Sequence, residues 1–147
     1  MKKLFAALVI FSVLGHAAFA AIGYIEVQKV FKEYKETKKA QDELGKKEET
    51  FKKEFEDSQK KLQQAEKSGK KADELEKMRK EMETQLAPKR DTLLKLNEQL
   101  TVKLQREILT SVEKIAKKVG VDMVLDKQVI ITGGMDLTDM VINDLNK

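Results

Sequence analysis

Cysteine and tryptophan are absent from this chain, and there is one histidine, His16, and one proline, Pro88. No cysteine means no disulfide, no zinc–thiolate site and no thiol nucleophile. Aromatic residues are 5% against 37% charged residues, a ratio that suits long solvated helices rather than a large packed globule. Charge of one sign is in short supply as well: the formal net charge is +4, with a pI of about 9.1. That balance bears on solubility and nonspecific association, not on fold. The 147 residues admit one ordinary domain.

Long hydrophobic runs are missing too. The one candidate, Leu4 to Leu14, is broken only by Ser12 and follows Lys2 and Lys3. Its eleven residues fall short of the roughly 20 a membrane span needs. It leads into Ala18-Phe19-Ala20, an A-x-A pattern, so residues 1–20 read as a secretory leader cleaved between Ala20 and Ala21. The exported chain then has 127 residues, 27 of them basic and 25 acidic, and no histidine. Export reaches a compartment that permits disulfides. This chain has none, so another device must hold it together.

What remains is strongly patterned. Ile22 to Val27 reads as a short strand, β-branched and too short for a helix. From about Gln28 a charged, helix-forming stretch runs to about Val119, interrupted by Gly45, Ser68-Gly69 and Pro88. Strands are expected at Val121–Leu125 and Val129–Thr132, then a Gly133-Gly134 turn. A last helix is expected to about Leu145, with Asp136 as its N-cap. A straight helix would hold the outer strands over ~130 Å apart, at about 1.5 Å per residue. The helix must therefore reverse near its middle. Ser68-Gly69 divides it most evenly and is the expected tip. Pro88 is expected to kink the returning arm, because proline removes a helix hydrogen bond and clashes one turn back.

The expected fold is α+β and mainly α, with body and arm in one domain, residues 21–147. The small β body, about 21–35 and 108–147, has three short strands and a final helix. A helical-hairpin coiled-coil arm covers about 36–107, with its tip near 68–70. An alternating three–four spacing runs through Tyr34, Thr37, Gln41, Leu44, Glu48, Phe51, Phe55, Ser58, Leu62 and Ala65. Leu75, Met78 and Met82, then Leu93, Leu96, Leu100, Leu104, Ile108, Val112, Ile115 and Val119, answer it on the returning arm. The seam is thin near the tip and strong near the strands. Acid-to-lysine pairs at i, i+4, such as Glu49/Lys53 and Glu76/Lys80, add a few tenths of a kcal/mol each. Neither part looks self-sufficient, which points to a homo-oligomer built through the strands. Its core residues are expected to be Ile25, Val27, Val30, Phe31, Val121, Met123, Leu125 and Ile130.

No residue pattern supports catalysis, a cofactor or a strong metal site. Ser58 and Ser111 fall inside helices, and Ser68 at the tip. Lys70 follows Gly69, but position 64 is Gln, so the phosphate-loop pattern fails. Asp136 and Asp139 suit a helix start better than a calcium site. The charge that stands out is at the tip, where residues 60–80 hold eight basic and four acidic side chains. Lys60, Lys61, Lys67, Lys70 and Lys71 are its candidate contacts for an anionic or client partner. Solubilising lysine explains the same run equally well.

Taken in order, several segments resemble one family. They are the leader, Val27-Gln28-Lys29-Val30-Phe31, Ala40-Gln41, Leu44, Val121 to Lys127, Gly134 to Asp139 and Leu145-Asn146-Lys147. Together they are similar to the Skp/OmpH family of periplasmic chaperones over essentially the whole chain. The resemblance implies a homotrimer whose strands form a barrel-like body. Its three arms enclose a cavity for unfolded outer-membrane β-barrel proteins, held without ATP or other cofactor. It implies location in the periplasm and no enzymatic activity. Lipopolysaccharide or other anionic lipid contact, proposed for family members, finds only the basic tip to match here. The competing reading is a structural coiled-coil scaffold of the cell envelope. Nucleic acid is disfavoured by export, by the near-neutral exported chain and by a tip without aromatics for base stacking.

Overall fold

A computed structural model describes residues 21–147; the expected leader, with Ala18 and Ala20, lies outside the described residues. The chain is mainly helical with one small sheet. Strand β1 (Ile22–Ile25) leads into helix α1 (Val27–Glu33), then α2 (Lys35–Lys67) and α3 (Ala72–Val119). Strand β2 (Met123–Asp126), a 3-10 turn (Lys127–Val129), strand β3 (Met135–Asp136) and helix α4 (Thr138–Leu145) complete it.

All three strands are parallel, in the order β2-β1-β3. Gly23 and Ile25 of β1 are buried, because this face lies under Leu137 and Val121. A Cβ on Gly23 would sit 2.9 Å from Leu137 Cδ1 and 3.1 Å from Val121 Cγ1. Val30, Leu137 and Val141 are fully enclosed. Ile108, Val112 and Ile115 of α3 close the same core from its other side. The seam therefore merges with the sheet's core at the base of α3.

Two expected elements shift. Val129–Thr132 is not a strand: Val129 ends the 3-10 turn, and Ile131 is fully exposed. The third strand is Met135–Asp136, two residues long. Gly133 and Gly134, at φ of +81° and +87°, bring it alongside β1. The β-branched run reads as a strand by propensity, yet β1 is already paired on both sides. Asp136 thus ends β3, and α4 starts at Thr138. The Asp136 carboxylate still accepts from the Thr138 N–H at 2.9 Å, a cap displaced by one residue. The Thr138 hydroxyl donates to the same carboxylate, and it, ahead of the N–H, holds the acid below its ordinary pKa.

The long stretch is broken in two places. Lys67 ends α2 with a turn in which Lys70 N–H donates to Ala65 C=O at 3.2 Å. Gly69 takes φ of +75°, a conformation glycine adopts without strain. The second break, at Tyr34, has no glycine or proline behind it. Tyr34 is extended (φ −74°, ψ +120°) and separates α1 from α2. Pro88 lies inside the unbroken α3. On either side of it, Thr84 and Thr92 each donate to the carbonyl four residues back.

Ion pairs tie α2 to α3: Glu66–Arg79 at 3.0 Å, Glu54–Lys89, and Glu36–Lys103 at 3.7 Å. As one partner's number climbs the other's falls, the pattern of antiparallel neighbours. The inward face of α2 departs from the expected register at three points. Gln41, Glu48 and Phe55 are exposed, while Thr37, Leu44, Phe51, Ser58, Leu62 and Ala65 keep it; the polar Gln41 and Glu48 side chains stay in water, and Ala40 is buried instead. Leu86, absent from the expected seam, is buried.

Candidate functional site

The surfaces available for binding follow from how the seam is packed. The inward-facing side chains are buried at the base, at Leu104, Ile108, Val112, Ile115 and Ala116 of α3. Between Ala40 and Ala65 on α2, and between Leu86 and Leu104 on α3, the apolar side chains are only half-buried or exposed. Phe51 and Phe55 stack one turn apart with ring centroids 6.4 Å apart. Phe51 is half-buried and Phe55 is 43% exposed. With Leu62 of the same helix and Met82, Leu86 and Ala87 of α3, they line one open groove. Phe51 also borders a second groove with Leu93 and Leu96. Polar Ser58 is one reason the seam does not close; its hydroxyl turns back to the Glu54 carbonyl at 2.8 Å.

The sheet end presents a different surface. Met123 on β2 and Met135 on β3 are about half exposed, and each belongs to an edge strand. Val129 is 69% exposed. An apolar groove beside them is lined by Val27, Phe31, Leu109, Val124 and Leu125, among others. Of the residues expected in a body core, Ile25, Val30 and Val121 are buried within the chain. Val27, Phe31, Leu125 and Ile130 are half-buried and Met123 is exposed.

The expected basic tip is exposed throughout. Lys60, Lys61, Lys67, Lys70 and Lys71 all reach solvent. Lys70 pairs with Glu74 at 3.7 Å, and Lys60 lies 4.0 Å from Asp57. Lys71 is the residue preceding α3. These lysines share one end of the helical pair, each exposed to solvent.

Sequence reasoning missed the polar joint under the base. The Asp144 carboxylate accepts from Lys114 at 2.7 Å, from Lys147 at 3.1 Å and from Ser111 at 3.1 Å. The two ammonium groups and the hydroxyl hold its pKa down at about 2. Tyr34 donates to Glu107 at 2.8 Å; burial first, then that carboxylate, pushes its hydroxyl up to about 12. Lys29 pairs with Asp139 at 2.7 Å, so that acid is engaged in binding α1 to α4. Serine inside a long helix carried no signal of the first contact, since its partner lies 33 residues away.

Among the described residues, no group of three or more acidic side chains is arranged for a metal ion, and no helix is long and apolar enough to cross a membrane. The arrangement is therefore one of surfaces: an open apolar seam, a basic tip, and an apolar sheet edge.

Comparison with known proteins gives that arrangement a class. A family model described as "Outer membrane protein (OmpH-like)" matches residues 21–145. The chain belongs to this family, the Skp/OmpH family. Proteins of the family are periplasmic chaperones of outer-membrane proteins, not enzymes. No curated protein matches the chain.

Proposed function

We propose that this protein is an ATP-independent periplasmic holdase that binds unfolded outer-membrane β-barrel proteins and prevents their aggregation in transit. Family membership over residues 21–145 is the observation that carries the reading. In it, residues 1–20 are the leader, cleaved after Ala20. Residues 36–107 form a hairpin arm whose tip lies near 68–70 and whose bend is at Pro88. Residues 21–35 and 108–147 form the body.

The half-open seam supports the same reading chemically. An unfolded barrel strand alternates apolar and polar residues. Phe51, Phe55, Leu62 and Met82 offer an apolar surface that a flexible client segment fills without a fixed partner shape, and methionine adapts to varied shapes. Charged side chains on the outer faces keep the chaperone itself soluble.

Three copies associate through the sheet edges in this proposal, with Met123, Leu125 and Ile130 of each body covered by a neighbour. Exposed apolar groups on open edge strands favour such pairing. The basic tip supplies a secondary contact for anionic lipid or lipopolysaccharide. Light scattering of a urea-unfolded barrel protein, diluted with and without the chaperone and without nucleotide, tests the holdase function. Suppressed scattering is expected. Unchanged scattering from an assembled oligomer favours an envelope scaffold instead.

A further inference from the structure

The break at Tyr34 leaves several backbone groups without helical partners, among them the Glu33 carbonyl, at the end of α1, and the Lys35 N–H, at the start of α2. One side chain satisfies these two. Asn146 donates from Nδ2 to the Glu33 carbonyl at 2.9 Å, and its Oδ1 accepts from the Lys35 N–H at 2.9 Å. Lys35 Nζ adds a bond to the Asn146 carbonyl at 3.2 Å. No side chain of its own caps α2. Its cap comes instead from a residue 111 positions away.

Asn146 sits just past α4, which is held firmly. Val141 and Ile142 are buried, Thr138 accepts from the Glu26 N–H at 3.0 Å, and Asp144 is tied to Ser111 and Lys114 of α3. The two long helices are anchored unequally. The base of α3 is locked by Leu104, Ile108, Val112, Ile115 and Ala116. In its first half α2 buries only Thr37 and Ala40, and Thr37 Oγ1 makes no hydrogen bond there.

We propose that Asn146 is a latch across the α1–α2 joint: engaged, it docks the base of α2 on α3; released, it frees α2 to part from α3 and open the seam. On this reading α3 is the fixed strut and α2 the moving helix. The other polar ties of the joint, Tyr34 to Glu107 and Glu36 to Lys103, run to α3, and the Tyr34 ring is buried in the core. Among the described residues Asn146 supplies the hydrogen bonds from α4 to the start of α2. Opening the seam uncovers Phe51, Leu93 and Leu96, so latch release enlarges the surface open to an apolar chain.

The test uses protein purified after export of the full-length precursor, with Asn146→Ala and Asn146→Asp. The aspartate keeps the acceptor for Lys35 and loses the donor to Glu33. Hydrogen exchange reads the amides of residues 35–40 against those of 104–116. Spin labels on Lys47→Cys and Lys95→Cys, the only thiols in the chain, read the α2–α3 distance in protein diluted with unlabelled chain. In Asn146→Ala we expect exchange at 35–40 to quicken about tenfold or more, a local opening. The 104–116 amides should hold, and the label distance should broaden toward longer values. Asn146→Asp is expected to fall between the two. Unchanged exchange at 35–40 overturns the latch. So does an unchanged label distance, and so does equal acceleration along 104–116, which marks Asn146 as general scaffolding. No client enters these readouts, so failure of the holdase reading leaves them standing.

Discussion

At the scale of single residues, the tightest constraint is Gly23. Its neighbours Leu137 and Val121 are themselves buried, so neither side chain has room to withdraw from an added methyl. Gly23→Ala is expected to cost about 1–3 kcal/mol by overpacking, read as a lower denaturant midpoint at unchanged slope. Thr37 presents the opposite case. Its buried, unpartnered hydroxyl makes Thr37→Val neutral or stabilising, by up to about 1 kcal/mol in the same assay. Asp144 gives a pH signature. Its folded pKa of about 2 lies below the unfolded carboxylate value near 3.9. Its contribution is therefore full above about pH 4 and is lost as pH falls through about 2. Asp144→Asn should flatten that part of the acid-unfolding curve. Gly23 and Asp144 were the least legible in the sequence, because their roles depend on partners 30 to more than 100 positions away.

At the scale of elements, the sequence pattern carried further. Apolar spacing located both long helices and the strong base of the seam, and α2 ends at Lys67, just before Ser68-Gly69. Two of three misreadings share one cause, the priority of tertiary contacts over local propensity. The break at Tyr34 is built by a buried ring, by Glu107 and by Asn146, with no helix breaker in the chain to announce it. Gln41 and Glu48 were assigned inward by spacing alone, yet as polar side chains they remain in water while Ala40 is buried. Val129–Thr132 lost its strand because β3 already holds the open side of β1. The seam itself yields the element-scale prediction. Phe55 is 43% exposed, so Phe55→Ala should change stability little while weakening capture of an unfolded barrel protein severalfold, read by fluorescence titration. Leu104→Ala, at the buried base, should instead cost about 2–5 kcal/mol.

At the scale of the whole molecule, the sheet end is where the missing disulfides are felt. A chain without disulfides, with a small sheet and a long polar-interrupted helical pair, leaves Met123, Met135, Val129 and Ile131 uncovered at the sheet end. The proposed association through that surface would account for both the missing stabilisation and the exposed apolar edge. Met123→Lys should therefore shift the native mass toward monomer while far-ultraviolet circular dichroism keeps its helical shape, since Met123 takes no part in the chain's own core. The family was legible because its segments are spread along the chain in order. The sheet's all-parallel pairing was not, since strands of two to four residues carry too little pattern to fix direction. The most direct measurement is native mass spectrometry of the exported protein, alone and after dilution with a urea-unfolded outer-membrane barrel protein in the absence of nucleotide. A trimer that takes up one unfolded client is the predicted result. A trimer that ignores the client, or a chain that stays monomeric, would contradict the account.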